Sequence, residues 1–268
     1  MQGSGTRRNA TQKCGAEHAA RRHATQRARI APGAPQTVAT RGTLNVSFQT
    51  EEPIMERLFS DRRDAGRQLA DRLAQWAGRD DVVVLALPRG GVPVAFEVAD
   101  ALHAPLDVLP VSKIGVPWQP ELAMGALSSN GAQYIDQRLV RDAGLDPSRL
   151  QDELAKAREE LARRESRYRE GRAPVPVAGR IAIVVDDGMA TGASLTAAAL
   201  ALASLRPARI VAALPVAPVD ARRRVGDAVD ELVCVQQPVG FMSVGQFYED
   251  FGQTSDAEVT ELLARAAH

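Results

Sequence analysis

The chain has 268 residues, 45% hydrophobic and 25% charged, with a formal net charge of zero, which is the composition of an ordinary globular protein with one core and additions. No apolar run approaches the roughly 20 residues of a membrane span, and no N-terminal stretch resembles a signal peptide, so the chain is expected in the cytoplasm with no membrane partner. Two cysteines, Cys14 and Cys234, and four scattered histidines, His18, His23, His103 and His268, exclude a disulfide framework and structural zinc.

The charge is uneven. Residues 1 to 50 hold eight Lys/Arg against Glu17, which leaves the remainder at minus seven. Residues 1–54 show no sustained apolar period and are read as a disordered basic extension, solvated or non-native, upstream of a start at Met55. Nucleic acid is not expected as a partner. Leu58, Ala65, Leu69, Leu73 and Trp76 predict an amphipathic helix over roughly 55 to 77. The uninterrupted run Val82 to Leu87 predicts a strand covered on both faces, and hence a parallel sheet. Pro88-Arg89-Gly90-Gly91 breaks it, a helix follows over 92 to 102, and a second strand is expected from Leu106 to Ser112. A Gly/Pro loop over Gly115 to Pro120 precedes a third apolar segment, Leu122 to Leu127.

Between about 149 and 170, Leu150, Leu154, Ala157, Leu161 and Tyr168 form one stripe, and Glu159/Arg163, Glu160/Arg164 and Glu165/Arg169 stand at i,i+4. This predicts an exposed helix laid across the domain or against a partner subunit, with no chemistry assigned to it. Ile181 to Val185, Arg209 to Val216 and Glu231 to Val235 predict further strands, with a helix over Ser194 to Leu205, so strands and helices alternate as βαβ units require. Ser255 and Glu258 have capping-box spacing at the start of a closing helix.

The informative stretch runs from Ile181 to Ser194: a hydrophobic strand, Asp186 and Asp187, then Gly188-Met189-Ala190-Thr191-Gly192-Ala193 opening a helix. In open α/β sheets ligands bind beyond the carboxyl ends of the strands, where this loop must lie. Its small residues let backbone N–H groups surround a phosphate, the helix start adds a favourable dipole, and Thr191 and Ser194 add hydroxyls. Two adjacent carboxylates suit the vicinal hydroxyls of a ribose, with Mg²⁺ nearby to balance charge. The implied ligand is a ribose 5-phosphate. A P-loop is excluded by the missing Gly-Lys-Ser/Thr, and the dinucleotide fingerprint by the Gly188/Gly192 spacing. A receiver-like signalling domain is excluded because no Lys follows Asp187.

Residues 184 to 194 resemble the phosphoribosyl-diphosphate signature of the type I phosphoribosyltransferases, and the resemblance covers roughly 57 to 253. More narrowly, Pro88-Arg89-Gly90-Gly91-Val92-Pro93, the Lys113-Ile114-Gly115 loop and the insertion before the acids are similar to an uncharacterised bacterial branch of that family. The resemblance implies a three-layer, open, mainly parallel sheet flanked by helices, with a helical insertion at about 136–175, a small hood at about 234–253 and a closing helix over 254–268. It implies that Asp186 and Asp187 hold the ribose hydroxyls and Mg²⁺, the latter mainly through substrate and water, while Ala190 to Ser194 wrap the 5-phosphate. It further implies that Arg89, Gly90 and Gly91 grip the pyrophosphate, often through a strained peptide in the family, and that Lys113 lies near the leaving group.

Transfer of the phosphoribosyl group to a base or amine with loss of pyrophosphate is the implied reaction, and a homodimer is implied by analogy alone. Residues 237–251 hold four of the nine Phe and Tyr residues, and Phe241 and Tyr248 are the candidate acceptor contacts. Members acting on 6-oxopurines generally place a third carboxylate where this chain has Ala190, so hypoxanthine or guanine is disfavoured. Adenine, orotate-like, uracil and non-nucleobase amine acceptors stay open. The alternative is a non-catalytic sensor of phosphoribosyl diphosphate, against which the acidic folded region counts.

Overall fold

The computed structural model describes residues 58–128 and 131–266; the basic extension expected over 1–54 lies outside them. In chain order the elements are α1 (Arg62–Arg72), β1 (Val82–Ala86), α2 (Gly91–Leu102), β2 (Leu106–Val108), β3 (Val111–Val116), β4 (Gln119–Ser128), β5 (Gln133–Ile135), α3 (Gln137–Asp142), α4 (Pro147–Arg169), β6 (Ile181–Val185), α5 (Ala193–Ala203), β7 (Arg209–Val216), α6 (Ala221–Val225), β8 (Glu231–Gln236) and α7 (Asp256–Arg265).

Five strands form one sheet in the order β2-β1-β6-β7-β8, every neighbouring pair parallel. All residues of β1 and β6 are buried, because the period of two sends alternate side chains to opposite faces and both faces are covered. Val82, Val84, Ile181 and Ile183 meet α1, α2 and α7 through Leu69, Val98 and Leu262. Val83, Leu85, Ala182 and Val184 meet α5 through Leu195, Ala198 and Leu202 on the other side. The result is the three-layer α/β architecture that the sequence implies.

Three expected elements differ. The first helix begins only at Arg62, where the extended Asp61 accepts the Asp64 amide as N-cap. Leu58 and Phe59 instead donate their amides to the Phe247 carbonyl, and Phe59 bridges Tyr248. The strand expected over 106 to 112 is two strands in two sheets. Pro110 cannot donate to a ladder, so β2 stops and the chain leaves for an antiparallel sheet, β3-β4-β5. The loop expected over 115 to 120 is mostly strand, with its turn at Pro117-Trp118 and the Trp118 ring exposed.

The helix expected over 149 to 170 is α4, and its stripe of Leu154, Ala157 and Leu161 covers Ile114, Val116, Met124 and Leu127 of the small sheet. Glu159/Arg163 and Glu160/Arg164 are solvent-facing pairs as expected. Glu165/Arg169 is not: Arg169 is buried, ion-paired to Asp107 at 2.9 Å and to Glu165 at 3.0 Å, and donates to the Val108 carbonyl. That guanidinium ties α4 to β2, and i,i+4 spacing alone cannot report such a long-range partner. Burial pushes the Glu165 carboxyl above its ordinary range. Ser255 accepts the Glu258 amide at the start of α7, as its spacing predicts. No helix among the described residues is long and apolar enough to cross a membrane.

Candidate functional site

β1 and β6 are parallel neighbours, with Ala86 opposite Val185, so the loops that leave them emerge side by side. The Leu87 amide donates to the Val185 carbonyl at 2.8 Å and extends the contact beyond the strands. The Pro88–Arg89 peptide is cis. Gly90 and Gly91 then cross the acid pair at a distance no side chain allows. A Cβ on Gly90 would stand 2.0 Å from Asp187 Oδ2, and one on Gly91 would stand 2.7 Å from the Val185 carbonyl and 2.9 Å from Asp186 Cα. The glycines are required by this close approach of two loops.

The two acids are differently placed. Asp186 Oδ1 accepts the Asp187 amide at 2.9 Å, and Asp186 lines a cavity of about 340 Å³ together with Pro88, Ser112, Lys113, Arg164 and Ser194. Burial, and next the charge of Asp187, hold the Asp186 carboxyl well above the usual carboxylate range. Asp187 Oδ2 accepts Arg62 Nε at 2.8 Å; burial raises this carboxyl too, while Arg62 pulls it back down.

Beyond the acids, Gly188 leads into Met189, whose side chain is buried and whose amide donates to the Val216 carbonyl. Met189, expected among the phosphate-binding residues, is therefore turned into the core and anchors the loop. The Ala190 carbonyl accepts Arg224 Nη1 at 2.7 Å, and Ala193 donates its amide to Thr191 Oγ1. Gly192 has a φ of +82° at the cap of α5, a left-handed conformation that glycine adopts without steric cost. Thr191, Ala193 and Ser194 are exposed at the helix start, where backbone amides without intrahelical partners can meet an anion.

Lys113 is exposed in the interior of β3, opposite Ala126, not at a strand end as expected. It stands between the 340 Å³ cavity and a second one of about 470 Å³ that reaches Tyr134, Thr191, Gly192 and Arg224. Arg89, expected to grip pyrophosphate, instead approaches Asp256 at 3.8 Å and is absent from the wall of the 340 Å³ cavity. Asp256 is the N1 carboxylate of α7 and also accepts Tyr168 Oη and the Arg167 guanidinium, which hold it below the usual carboxylate range. The cation that α4 supplies to the cavity is Arg164. Its i,i+4 pair with Glu160 is solvent-facing, and no local sequence signal distinguishes it from Arg163.

The candidate acceptor contacts are already engaged. Tyr248 is buried, donates Oη to the Asp187 carbonyl at 2.6 Å and packs on Phe59 and Phe251. Burial and the nearby Asp187 charge keep its phenol protonated far above the ordinary range. Phe241 is half-buried against Phe247 at 5.3 Å. These rings form the core of the 234–253 segment and carry it onto the acid pair. A larger cavity of about 630 Å³ lies away from all of these residues, beside Pro105, Leu106 and Arg172. Arg172 there is spent on the carbonyls of Leu263, Arg169 and Tyr168.

Among the described residues no group of three or more His, Cys, Asp or Glu is placed to hold a metal. The donor set at the cavity is one inward carboxylate, Asp186, beside hydroxyls. That fits Mg²⁺, which commonly binds through one or two carboxylates, waters and substrate phosphates, and does not provide an all-protein cage.

The sequence matches the family model of the phosphoribosyl transferase domain over residues 61–243. Rv0571c of Mycobacterium tuberculosis H37Rv, provisionally named a phosphoribosyl transferase, is 51% identical over 210 residues, which cover 78% of this chain and 47% of that one. MT0597 of strain CDC 1551 matches with the same identity and coverage. The chain thus spans about half the length of these curated relatives. The crystal structure of TT1426 from Thermus thermophilus is 42% identical, with a TM-score of 0.71, covering 77% of this chain and 98% of that one.

Proposed function

The chain belongs to the phosphoribosyl transferase family, and from that premise we propose that it uses Mg²⁺-phosphoribosyl diphosphate to transfer the 5-phosphoribosyl group to a base or amine, with release of pyrophosphate. The observation that carries the reading is the 340 Å³ cavity, which gathers Asp186, Ser194, Lys113 and Arg164 at the carboxyl ends of β1 and β6.

In this reading the amides and hydroxyls of Thr191 to Ser194 bind the 5-phosphate at the start of α5. Asp186 would accept from the ribose hydroxyls and is the carboxylate that would hold the metal ion. When bound, Mg²⁺ supplies positive charge to the oxygens of the leaving pyrophosphate. Lys113 and Arg164 oppose the same charge from β3 and α4. The bond from the anomeric carbon to the pyrophosphate oxygen breaks, the acceptor nitrogen forms the new bond from the opposite face, and that nitrogen loses its proton. Much of the rate comes from holding the reactants in line and excluding water.

Two functions of the family need different measurements: turnover, or sensing of the diphosphate without turnover. Pyrophosphate release is to be followed with Mg²⁺-phosphoribosyl diphosphate and a panel of adenine, uracil, orotate and simple amines, for the wild type and Asp186→Asn. Release that depends on one acceptor and vanishes in the variant is expected. Saturable binding with no release from any acceptor would replace the enzyme by the sensor.

A further inference from the structure

We propose, resting on the reading above, that Arg224 is a positioning residue of the 5-phosphate loop: it holds the Ala190–Thr191 peptide so that the Thr191 amide points at the phosphate. Residues Gly188 to Gly192 belong to no strand or helix, so contacts from outside a backbone ladder must fix their peptides. Three contacts do so. The Met189 amide donates to the Val216 carbonyl at 3.0 Å, and Met189 Sδ lies under Gly192, where a Cβ would come within 3.0 Å of it. The third is the Arg224 guanidinium on α6, whose Nη1 donates to the Ala190 carbonyl at 2.7 Å from 34 residues further along the chain.

This last contact sets a direction. In a trans peptide the C=O and the N–H point opposite ways, and the cis bond among the described residues is Pro88–Arg89. With the Ala190 carbonyl turned to Arg224, the Thr191 N–H is turned away from it, and that N–H has no acceptor among the described residues. It therefore joins the unpartnered amides at the start of α5, where an anion is favoured. A guanidinium on the carbonyl oxygen also polarises the peptide and makes the N–H on its other side a stronger donor. Arg224 is itself aimed from behind. Its Nε donates to Asp220 Oδ1 at 2.7 Å, and Arg223 Nη2 donates to Asp220 Oδ2 at 2.6 Å. Two guanidiniums thus share one carboxylate, and the cluster leaves positive charge beside Thr191 and Gly192 on the wall of the 470 Å³ cavity.

The test compares wild type, Arg224→Ala and Asp220→Ala by calorimetric titration with two probes, ribose 5-phosphate and Mg²⁺-pyrophosphate. Affinity for ribose 5-phosphate is expected to fall about tenfold in Arg224→Ala and about threefold in Asp220→Ala, while affinity for Mg²⁺-pyrophosphate stays within about twofold of wild type in both. The second variant separates aiming from charge. Removing the Asp220 carboxylate would tighten the binding of an anion if Arg224 acted through its charge alone, and loosens it if Arg224 must be aimed. The Arg224 side chain is 38% exposed, so both variants are expected to keep the fold, which thermal melting checks. Should Arg224→Ala fail to fold, the sign of the Asp220→Ala effect decides alone. Unchanged ribose 5-phosphate affinity in Arg224→Ala, equal loss of both probes, or tighter ribose 5-phosphate binding in Asp220→Ala would overturn the proposal. A wild type that binds neither probe would overturn the phosphoribosyl reading, and the proposal with it.

Discussion

In β1 and β6 every side chain is buried and successive residues feed two separate cores, whereas β3 to β5 pack Ile114, Leu127 and Ile135 against α4 and Ala126 against α5, and leave Lys113 exposed on the face of Ala126. The two regions meet at one cavity, to which the end of β6 and the start of α5 give Asp186 and Ser194, while β3 and α4 give Lys113 and Arg164. The difference separates what a site needs to be held from what it needs to be charged. The acids follow directly on β6, which cannot move without unpacking the core, and the cations stand on β3 and α4 of the added layer.

The largest effect should come from the core. Ile183→Ala removes a fully buried side chain from the middle of β6 and is expected to cost about 2–5 kcal/mol in a denaturant melt. A cost below about 1 kcal/mol would mean that the sheet repacks freely and does not hold the acids rigidly. Next comes the junction of the two loops. In Gly90→Ala the new Cβ starts 2.0 Å from the Asp187 carboxylate, so that carboxylate or one of the two loops must shift, and affinity for phosphoribosyl diphosphate should fall about thirtyfold, equivalent to ~2 kcal/mol. Arg164→Ala sharpens the comparison from the other side. Its pair with Glu160 is solvent-facing, so stability should change by less than about 0.5 kcal/mol while affinity for the diphosphate drops about tenfold. Unchanged affinity would return α4 to a purely structural role.

A smaller effect concerns pH. The Asp186 carboxyl is raised by burial and by Asp187, so between the unfolded aspartate value of about 3.9 and its folded value the native state binds more protons than the unfolded chain. Stability should therefore be fully present below that window and decline as pH rises through it. Asp186→Asn should flatten the decline and melt higher than wild type at neutral pH, as expected where a functional group is kept at the expense of stability. A variant that melts lower, with an unchanged pH slope, would show that Asp186 is held by stabilising contacts instead.

What could be read in the sequence follows the same division. Val82 to Leu87 and Ile181 to Val185 are legible because burial on both faces leaves an unbroken apolar run, and the acids, small residues and hydroxyl residues after β6 form a local pattern on one continuous loop. Leu106 to Ser112 reads as one strand because periodicity does not reveal that Pro110 sends the chain to a second sheet. Arg62, Arg164 and Arg169 are missed for one physical reason: each looks like a surface arginine of an amphipathic helix, and its meaning lies in a partner or a cavity brought to it by folding. Arg89 stands beside two glycines, which suggests a ligand contact, and its side chain here approaches the start of α7, a partner that its sequence neighbours do not reveal. Tyr248 is visible as an aromatic in a cluster, but its bond to the Asp187 carbonyl depends on a contact 61 residues away in sequence.

The most direct measurement is a calorimetric titration of Mg²⁺-phosphoribosyl diphosphate into the wild-type chain and into Asp186→Asn. Saturable binding at one site is expected in the wild type, and its loss in the variant with the fold retained. No binding to the wild type, or equal binding to both proteins, would contradict it.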